Sequence, residues 1–224
     1  MKTGRKHRTT LSARYQKLKV LYRISDLINT TSNPNTLLRR ILREAVSEMG
    51  ATSGTLALVD SQGQVLEIAA AQGVDAKSAR QLRLQLGQGV TGHVAKTGKP
   101  LRIDDVSQSP HYVELKRGVK SELAVPLKVE GEVIGVINVD STRPAAFSPE
   151  DERLLTALAN QAAKVIHTSR LHARLAEQSE RLEALFNVGQ ALISHDPLPD
   201  VLNRITSTVQ SLMVVKLCSI MLLN

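Results

Sequence analysis

The residues of this 224-residue chain that could do chemistry gather in its middle: His93, Asp104, Asp105, His111, Tyr112, Ser121 and Glu122. Imidazoles can hold haem iron or a metal, yet polar surface histidines are the commoner explanation of such a pair. Asp104 and Asp105 follow a short β-like run and Glu122 opens the next, so an acidic pair could face one site together with Tyr112 and Ser121. Turn formation and capping explain Asp104 and Asp105 equally well. Acid–base catalysis would further need a nucleophile or metal beside these carboxylates, and environments that separate their pKa values. Spacing establishes neither, so no catalytic residue and no metal ligand is assigned.

The turn Gly87-Gln88-Gly89 ahead of Val90-Thr91-Gly92-His93 could present backbone N–H groups to an anion at a helix start. Its simpler role is geometric, glycine supplying positive φ before a helix. No Gly-Lys-Ser/Thr follows, so it is not a Walker loop. Thr91, His93, Asp104, Tyr112, Ser121 and Glu122 stand as the candidate ligand contacts.

Composition narrows the function classes. The single cysteine, Cys218, excludes an internal disulfide and a cysteine-built zinc site, which fits a reducing, cytoplasmic location. The longest apolar runs, such as 132–139 (EVIGVINV), are strand-length, and no membrane span is expected. Much of the net charge of +8 sits in Lys2, Arg5, Lys6, Arg8, Arg14, Lys17, Lys19 and Arg23. No apolar core follows this basic stretch, so it does not read as a signal peptide. With aromatic residues at 2% there is little to stack on bases, and a solvated terminus is expected rather than a nucleic-acid interface.

The elements that must position these residues follow from periodicity. Residues 34–49 carry a helical stripe (Leu37, Leu38, Ile41, Leu42, Ala45, Val46, Met49) that ends at Gly50. Runs 54–60 and 64–71 flank Ser61-Gln62-Gly63 and predict an antiparallel hairpin, and runs 121–129 and 132–140 predict a second across Glu130-Gly131. Between them lie a helical segment near 75–85, the Gly-rich turn and helix at 87–97, a short strand at 100–104, and a loop at 105–118. So long an irregular insert usually carries function. Ser148, Pro149, Asp151 and Glu152 mark the start of a long helix.

From Leu171 the apolar spacing becomes 171, 175, 178, 182, 185, 189 and 192, a heptad pattern in which Gln178 and Gly189 are imperfect members. Residues 18–60 also overlay on 182–224 without gaps, at a constant offset of 182 − 18 = 164, matching Leu18 to Leu182, Leu38 to Leu202, Arg40 to Arg204 and Met49 to Met213. This overlay predicts the opening of a second copy that stops after one strand, 217–223, so that the chain is a fragment or a partner completes it. It also predicts that helices 11–28 and 171–192 pair in a parallel homodimer, although amphipathic helices more commonly dock on their own domain.

The motifs 86–92 (LGQGVTG), 123–126 (LAVP), 133–138 (VIGVIN) and 147–155 (FSPEDERLL), in this order and spacing, resemble the GAF family over roughly residues 18–168. The resemblance implies an α+β, PAS-like fold: a central antiparallel sheet with helices on one face, a ligand cavity on the other roofed by the insert, and long terminal signalling helices. It implies no particular cofactor. Cyclic-nucleotide-binding members carry Asn-Lys, then Phe, three residues, and Asp-Glu; this chain has Asn138, Phe147, Asp151 and Glu152, with Val139 in place of the lysine. Bilin attachment and sulfoxide reduction need cysteines near the insert, and none is there.

The expected organisation is a basic tail and helix start at 1–17, a GAF domain at 18–168, a coiled-coil-like linker at 169–192 and an incomplete second domain at 182–224. The expected function is a cytoplasmic, non-enzymatic module that senses a small molecule and relays it through dimeric helices to an output module. Such modules precede kinases, cyclases, phosphatases or transcriptional activators, whose signatures do not occur in this sequence. The alternative is a GAF dimerisation scaffold that binds no ligand.

Overall fold

The computed structural model of the chain describes residues 33–75, 83–112, 117–193, 197–213, 217 and 219–221. They divide into two units, one ending at His167 and the other beginning at Thr168. The predicted dimer helix 11–28 lies outside the described residues.

The first unit opens with helix α1, Pro34–Glu48. Asn33 caps it, its Oδ1 accepting from the backbone N–H groups of Asn35 (2.9 Å) and Thr36 (3.3 Å), and Pro34 fills the first turn, where an N–H has no partner to lose. Gly50, at φ +56°, ends the helix as predicted. Strands β1 (Ser53–Val59) and β2 (Val65–Gln72) form the first hairpin, closed by the Asp60 carboxylate, which accepts from Gln64 N and Val65 N. Next come β3 (Arg83–Gln85), helix α2 (Gly89–Thr97), β4 (Leu101–Ile103) and a 3-10 turn at Val106–Gln108. The second hairpin, β5 (Ser121–Val129) and β6 (Glu132–Ser141), leads into helix α3, Pro149–Ile193.

Two expectations are corrected. Residues 83–85, predicted helical, form an edge strand against β2, pairing Val65 with Gln85 and Glu67 with Arg83. Cross-strand pairing overrides local propensity there, while 76–82 lie outside the described residues. The predicted strand 217–223 is not formed at Leu217 or at Ser219–Met221, its described part. A strand needs a neighbouring ladder, and no pairing among the described residues supplies one.

The six strands make one antiparallel sheet in the order β3-β2-β1-β6-β5-β4. Successive side chains alternate between its two faces. One face presents Leu56, Leu123, Val125, Leu127, Ile137 and Val139 to α1 and to the buried stripe of α3, Leu154, Leu155, Leu158, Ala159, Ala162 and Ile166. The other presents Ala57, Leu66, Ala124 and Val136 to Val90, Val94 and Ala95 of α2 and to Leu84, Ile103 and Val106. The sheet is therefore covered on both faces, by long helices on one and by the insert on the other.

In the second unit the heptad positions Leu171, Leu175, Leu182 and Leu185 are exposed on α3, together with Phe186. Helix α4, Leu198–Met213, follows. It begins 198 − 34 = 164 residues after α1, the offset of the sequence overlay.

Close backbone approach fixes where glycine is required in the sheet. A Cβ at Gly135 in β6 would overlap the Ala57 carbonyl oxygen and crowd the Leu58 side chain. We expect Gly135→Ala to lower stability by about 2 kcal/mol, as overpacking does, measured by urea unfolding. Unchanged stability would show that β1 and β6 can part at no cost.

Candidate functional site

The site begins with a slip in the central hairpin. Its tight end pairs Val129 with Glu132 and Lys128 with Val133, but the next pair is Leu127 with Gly135, leaving Ile134 as an extra residue. Beyond this bulge Glu122 lies opposite Asp140 and Ala124 opposite Asn138. On the other side of β6, Ser53 pairs with Asp140 and Thr55 with Asn138. Two rows therefore cross the sheet on the face covered by the insert: Ser53, Asp140, Glu122 and Ile103, then Thr55, Asn138, Ala124 and Leu101.

Hydrogen bonds knit the polar members together. The Asn138 side chain is the hub: its Oδ1 accepts from Thr55 N at 3.1 Å and from Thr55 Oγ1, and its Nδ2 donates to Glu122 Oε1 at 2.8 Å. Ser53 Oγ donates to Asp140 Oδ1. Ser53, Glu122, Asn138 and Asp140 are all buried. Burial pushes the Glu122 carboxyl up to about 7; the Asn138 hydrogen bond opposes this and the nearby Asp140 charge adds to it. Near neutral pH this carboxyl is therefore poised to hold or release a proton.

The remaining candidates divide by place. Thr91 is buried in α2, and Tyr112 is half-buried against the apolar part of the same face. His93 and His111 come together, their rings stacked with centroids 4.0 Å apart, so that α2 and the loop after β4 touch. No group of three potential metal ligands occurs among the described residues. Asp104 is exposed and within 3.7 Å of Arg102, and its carbonyl accepts from Ala145 N. Asp105 caps the 3-10 turn through Ser107 and Gln108, bonds that hold its carboxyl below the usual range. Ser121 belongs to the opposite face: its Oγ donates to the Arg143 carbonyl at 2.7 Å and accepts from Ala146 N, fastening the loop into α3.

The Asn138, Phe147, Asp151 and Glu152 set does not converge. Asn138 sits on the insert-covered face, whereas Phe147 packs in the core beneath the long helices. Asp151 closes the start of α3, its Oδ2 accepting from Ser148 N (2.8 Å) and Ser148 Oγ (2.7 Å), and Glu152 N donates to the Ser148 carbonyl in the same turn. The glycine-rich turn is likewise explained by packing. Gly87 and Gly89 have positive φ, and a Cβ at Gly92 would overlap the Gln85 carbonyl, so these glycines let α2 descend beside β3.

Ser53, Thr55 and Asp140 are site residues that the sequence reading did not single out. Strand alternation was the available signal, but it points Asn138 and Asp140 correctly only once the bulge at Ile134 is known.

An antiparallel sheet covered by long helices on one face, with a buried polar network under an insert on the other, defines a sensor-type α+β domain. A GAF domain family model matches residues 31–167, more than half of the chain, and the chain belongs to that family. Among curated proteins it is similar to the Nif-specific regulatory protein of Azospirillum brasilense, with 28% identity over 172 residues, 72% of this chain and 27% of that protein. Protein YtsP of Bacillus subtilis (strain 168) is 33% identical over 85 residues, 38% of this chain and 52% of that protein. The chain thus matches only about a quarter to a half of these relatives' length. Among solved structures, the GAF domain from an Acinetobacter phosphoenolpyruvate-protein phosphotransferase is similar at a TM-score of 0.65 and 25% identity, covering 70% of this chain and 95% of that one. Free methionine-R-sulfoxide reductase from Neisseria meningitidis, solved in complex with its substrate, is similar at 0.63 and 27%, covering 70% and 91%. Among the described residues no helix is long and apolar enough to cross a membrane.

The raised pKa of Glu122 makes stability depend on pH. Below the ordinary carboxyl value of 4.5 the group is protonated in both folded and unfolded chains and contributes no difference. As pH rises from there to about 7 the unfolded chain ionises first, so the folded state loses stability, by roughly 3 kcal/mol at the limit. Glu122→Gln, which keeps an acceptor for Asn138 Nδ2, should flatten this loss between pH 4.5 and 7.5 in urea unfolding. An unaltered pH profile would place the carboxyl in water.

Proposed function

We propose that this GAF domain is a non-enzymatic regulatory sensor that holds a small molecule against the Glu122–Asn138–Asp140 face. Occupancy is relayed through a dimer formed by the exposed stripe of α3 to an output domain outside residues 31–167. The observation that carries this reading is the buried polar network itself. Two carboxylates and an amide on an interior sheet face are costly to desolvate, whereas the opposite face of the same strands meets the helices through Leu123, Val125, Leu127, Ile137 and Val139. The regulatory relatives support the relay, since in the Azospirillum protein the matched part is about a quarter of the length. The one thiol, Cys218, lies beyond the family match, so residues 31–167 hold no group for thiol chemistry.

A relay requires that the ligand bind two helix arrangements with unequal affinity. Helix α3 suits such a role because one continuous element carries both the buried stripe at 154–166 and the exposed heptads from Leu171. In favour of the alternative, a scaffold without ligand, no fully buried side-chain nitrogen or oxygen lacks a hydrogen-bond partner among the described residues.

We also read α4 as the counterpart of α1 in a second GAF copy, supported by the constant offset of 164. With no strand paired beside it among the described residues, α4 should show hydrogen-exchange protection far below that of β5 and β6. Equal protection would contradict the reading.

Native mass spectrometry of the chain purified from its cells tests the main proposal. We expect a dimer carrying a small molecule that is lost on denaturation, and a monomer for the double variant Leu175→Asp, Leu182→Asp. A dimer without ligand that binds no member of a metabolite panel would favour the scaffold, and an unchanged mass for the double variant would remove the α3 stripe from the interface.

A further inference from the structure

The relay reading requires a mechanical link between the insert and α3, and the loop that joins β6 to α3 supplies one. Among the described residues, Glu130 and Ala145 are the non-glycine residues with positive φ, at +51° and +47°. Glu130 owes this to the tight hairpin turn it shares with Gly131. Ala145 follows Pro144 between Arg143 and Ala146, the order of a type II turn, whose third position ordinarily takes glycine because a Cβ is disfavoured there. This turn is held from outside. The Ser121 hydroxyl, fully buried at the head of β5, donates to the Arg143 carbonyl at 2.7 Å and accepts from Ala146 N at 3.4 Å, bridging the two ends of the turn. Ala145 N donates to the Asp104 carbonyl at 2.8 Å. Asp104 lies between Ile103 and Val106, both buried in the apolar cluster beneath the insert, and Val106 N donates to the Lys120 carbonyl at 2.9 Å. On the far side of the turn, Phe147 is seated in the helix-covered core and Ser148 leads into α3. Residues 145–147 therefore connect the two cores.

We propose that Ala145 is a strained joint through which the insert controls the start of α3. A left-handed backbone is costly for a residue with a Cβ, and it persists here because the Asp104 carbonyl and the Ser121 hydroxyl hold it. A shift of Ile103 and Val106 withdraws the Asp104 carbonyl. Ala145 then relaxes to an ordinary conformation, the turn opens, and the first turn of α3 loses its fixed entry. The joint is thus a two-state element that the insert biases at one end and α3 at the other, as coupling between them requires.

Amide hydrogen exchange of the full chain tests the joint without a ligand. It is read at Ala145, at Ala146 and at Glu152, whose N–H donates to the Ser148 carbonyl in the first turn of α3. Ile137 in β6 is the reference, because its protection reports opening of the whole sheet. Ser121→Ala should speed exchange at these amides about tenfold relative to Ile137, the scale of a buried hydrogen bond left unmade. Val106→Ala, made in the insert, should speed it severalfold at the same amides. Ala145→Gly should slow it about fivefold by removing the left-handed penalty. Combined with Val106→Ala, it should also blunt that variant's effect at Glu152, because an unstrained turn stays closed without the Asp104 carbonyl. Exchange at position 145 that is unchanged or faster with glycine would mean that no strain is stored. Exchange at Glu152 that ignores Val106→Ala would mean that the insert does not reach α3, and either result overturns the proposal. If Val106→Ala abolishes protection of Ile137, the smaller truncation Ile103→Val takes its place with the same expectations. A chain that retains no small molecule in native mass spectrometry would withdraw the sensor reading and leave the joint standing, since none of these measurements uses a ligand.

Discussion

One extra residue, Ile134, decides which side chains of the central hairpin share a face. A tight two-residue hairpin run out without interruption would set Leu123, Val125 and Leu127 on the face of Asn138 and Val136. The bulge moves every later pair by one residue, so that these three meet Val139, Ile137 and Gly135 instead. Two results follow together. The helix-covered face becomes apolar at Leu123, Val125, Leu127, Ile137 and Val139, and the polar residues Glu122, Asn138 and Asp140 are gathered on the other. Neither could be obtained alone, because side chains on a strand have only two faces to occupy.

The two faces then take different tasks. Under α1 and α3 the core is built of Leu, Ile, Val and Ala, with Phe147 sealing the entry to α3. Beneath the insert, the apolar cluster around Ala57, Ala124 and Val136 is made of smaller side chains and stops at the Asn138 hub. Val90, Val94 and Ala95 of α2 pack on these residues, and Gly92 lets the helix backbone approach Gln85. The His93–His111 stack ties α2 to the loop that bears Tyr112. The polar network thus sits at the edge of a second apolar cluster, which holds α2, β3 and β4 on the sheet.

Much of this architecture was legible in the sequence. The helix at Pro34–Glu48, both hairpins and the start of α3 follow from the apolar stripe that ends at Gly50, the apolar alternation and the Ser148-Pro149 start with its acidic first turn, all local signals. The edge strand Arg83–Gln85 was not legible, since three residues of mixed character become a strand only by pairing with β2. Within the site, Glu122, Thr91 and Tyr112 were recognised as candidates, while Ser53, Thr55 and Asp140 were missed, because their roles arise from pairing across 80 or more residues and from the bulge. Asp104 and Asp105 looked alike in sequence and proved to be loop residues, one beside Arg102 and the other capping a turn. Ser121 precedes Glu122 and, by alternation alone, faces the other way.

The central claim is that the hairpin register buries the Glu122 carboxyl beside Asp140 and Asn138 on the insert-covered face. A carbon-13 NMR titration of that side-chain carboxyl in the folded chain tests it most directly. The account predicts a midpoint near 7 and a signal coupled to the Asn138 side-chain amide. A midpoint at the ordinary value of 4.5, insensitive to Asn138 substitution, would mean that Glu122 faces water and that the register described here does not form the site.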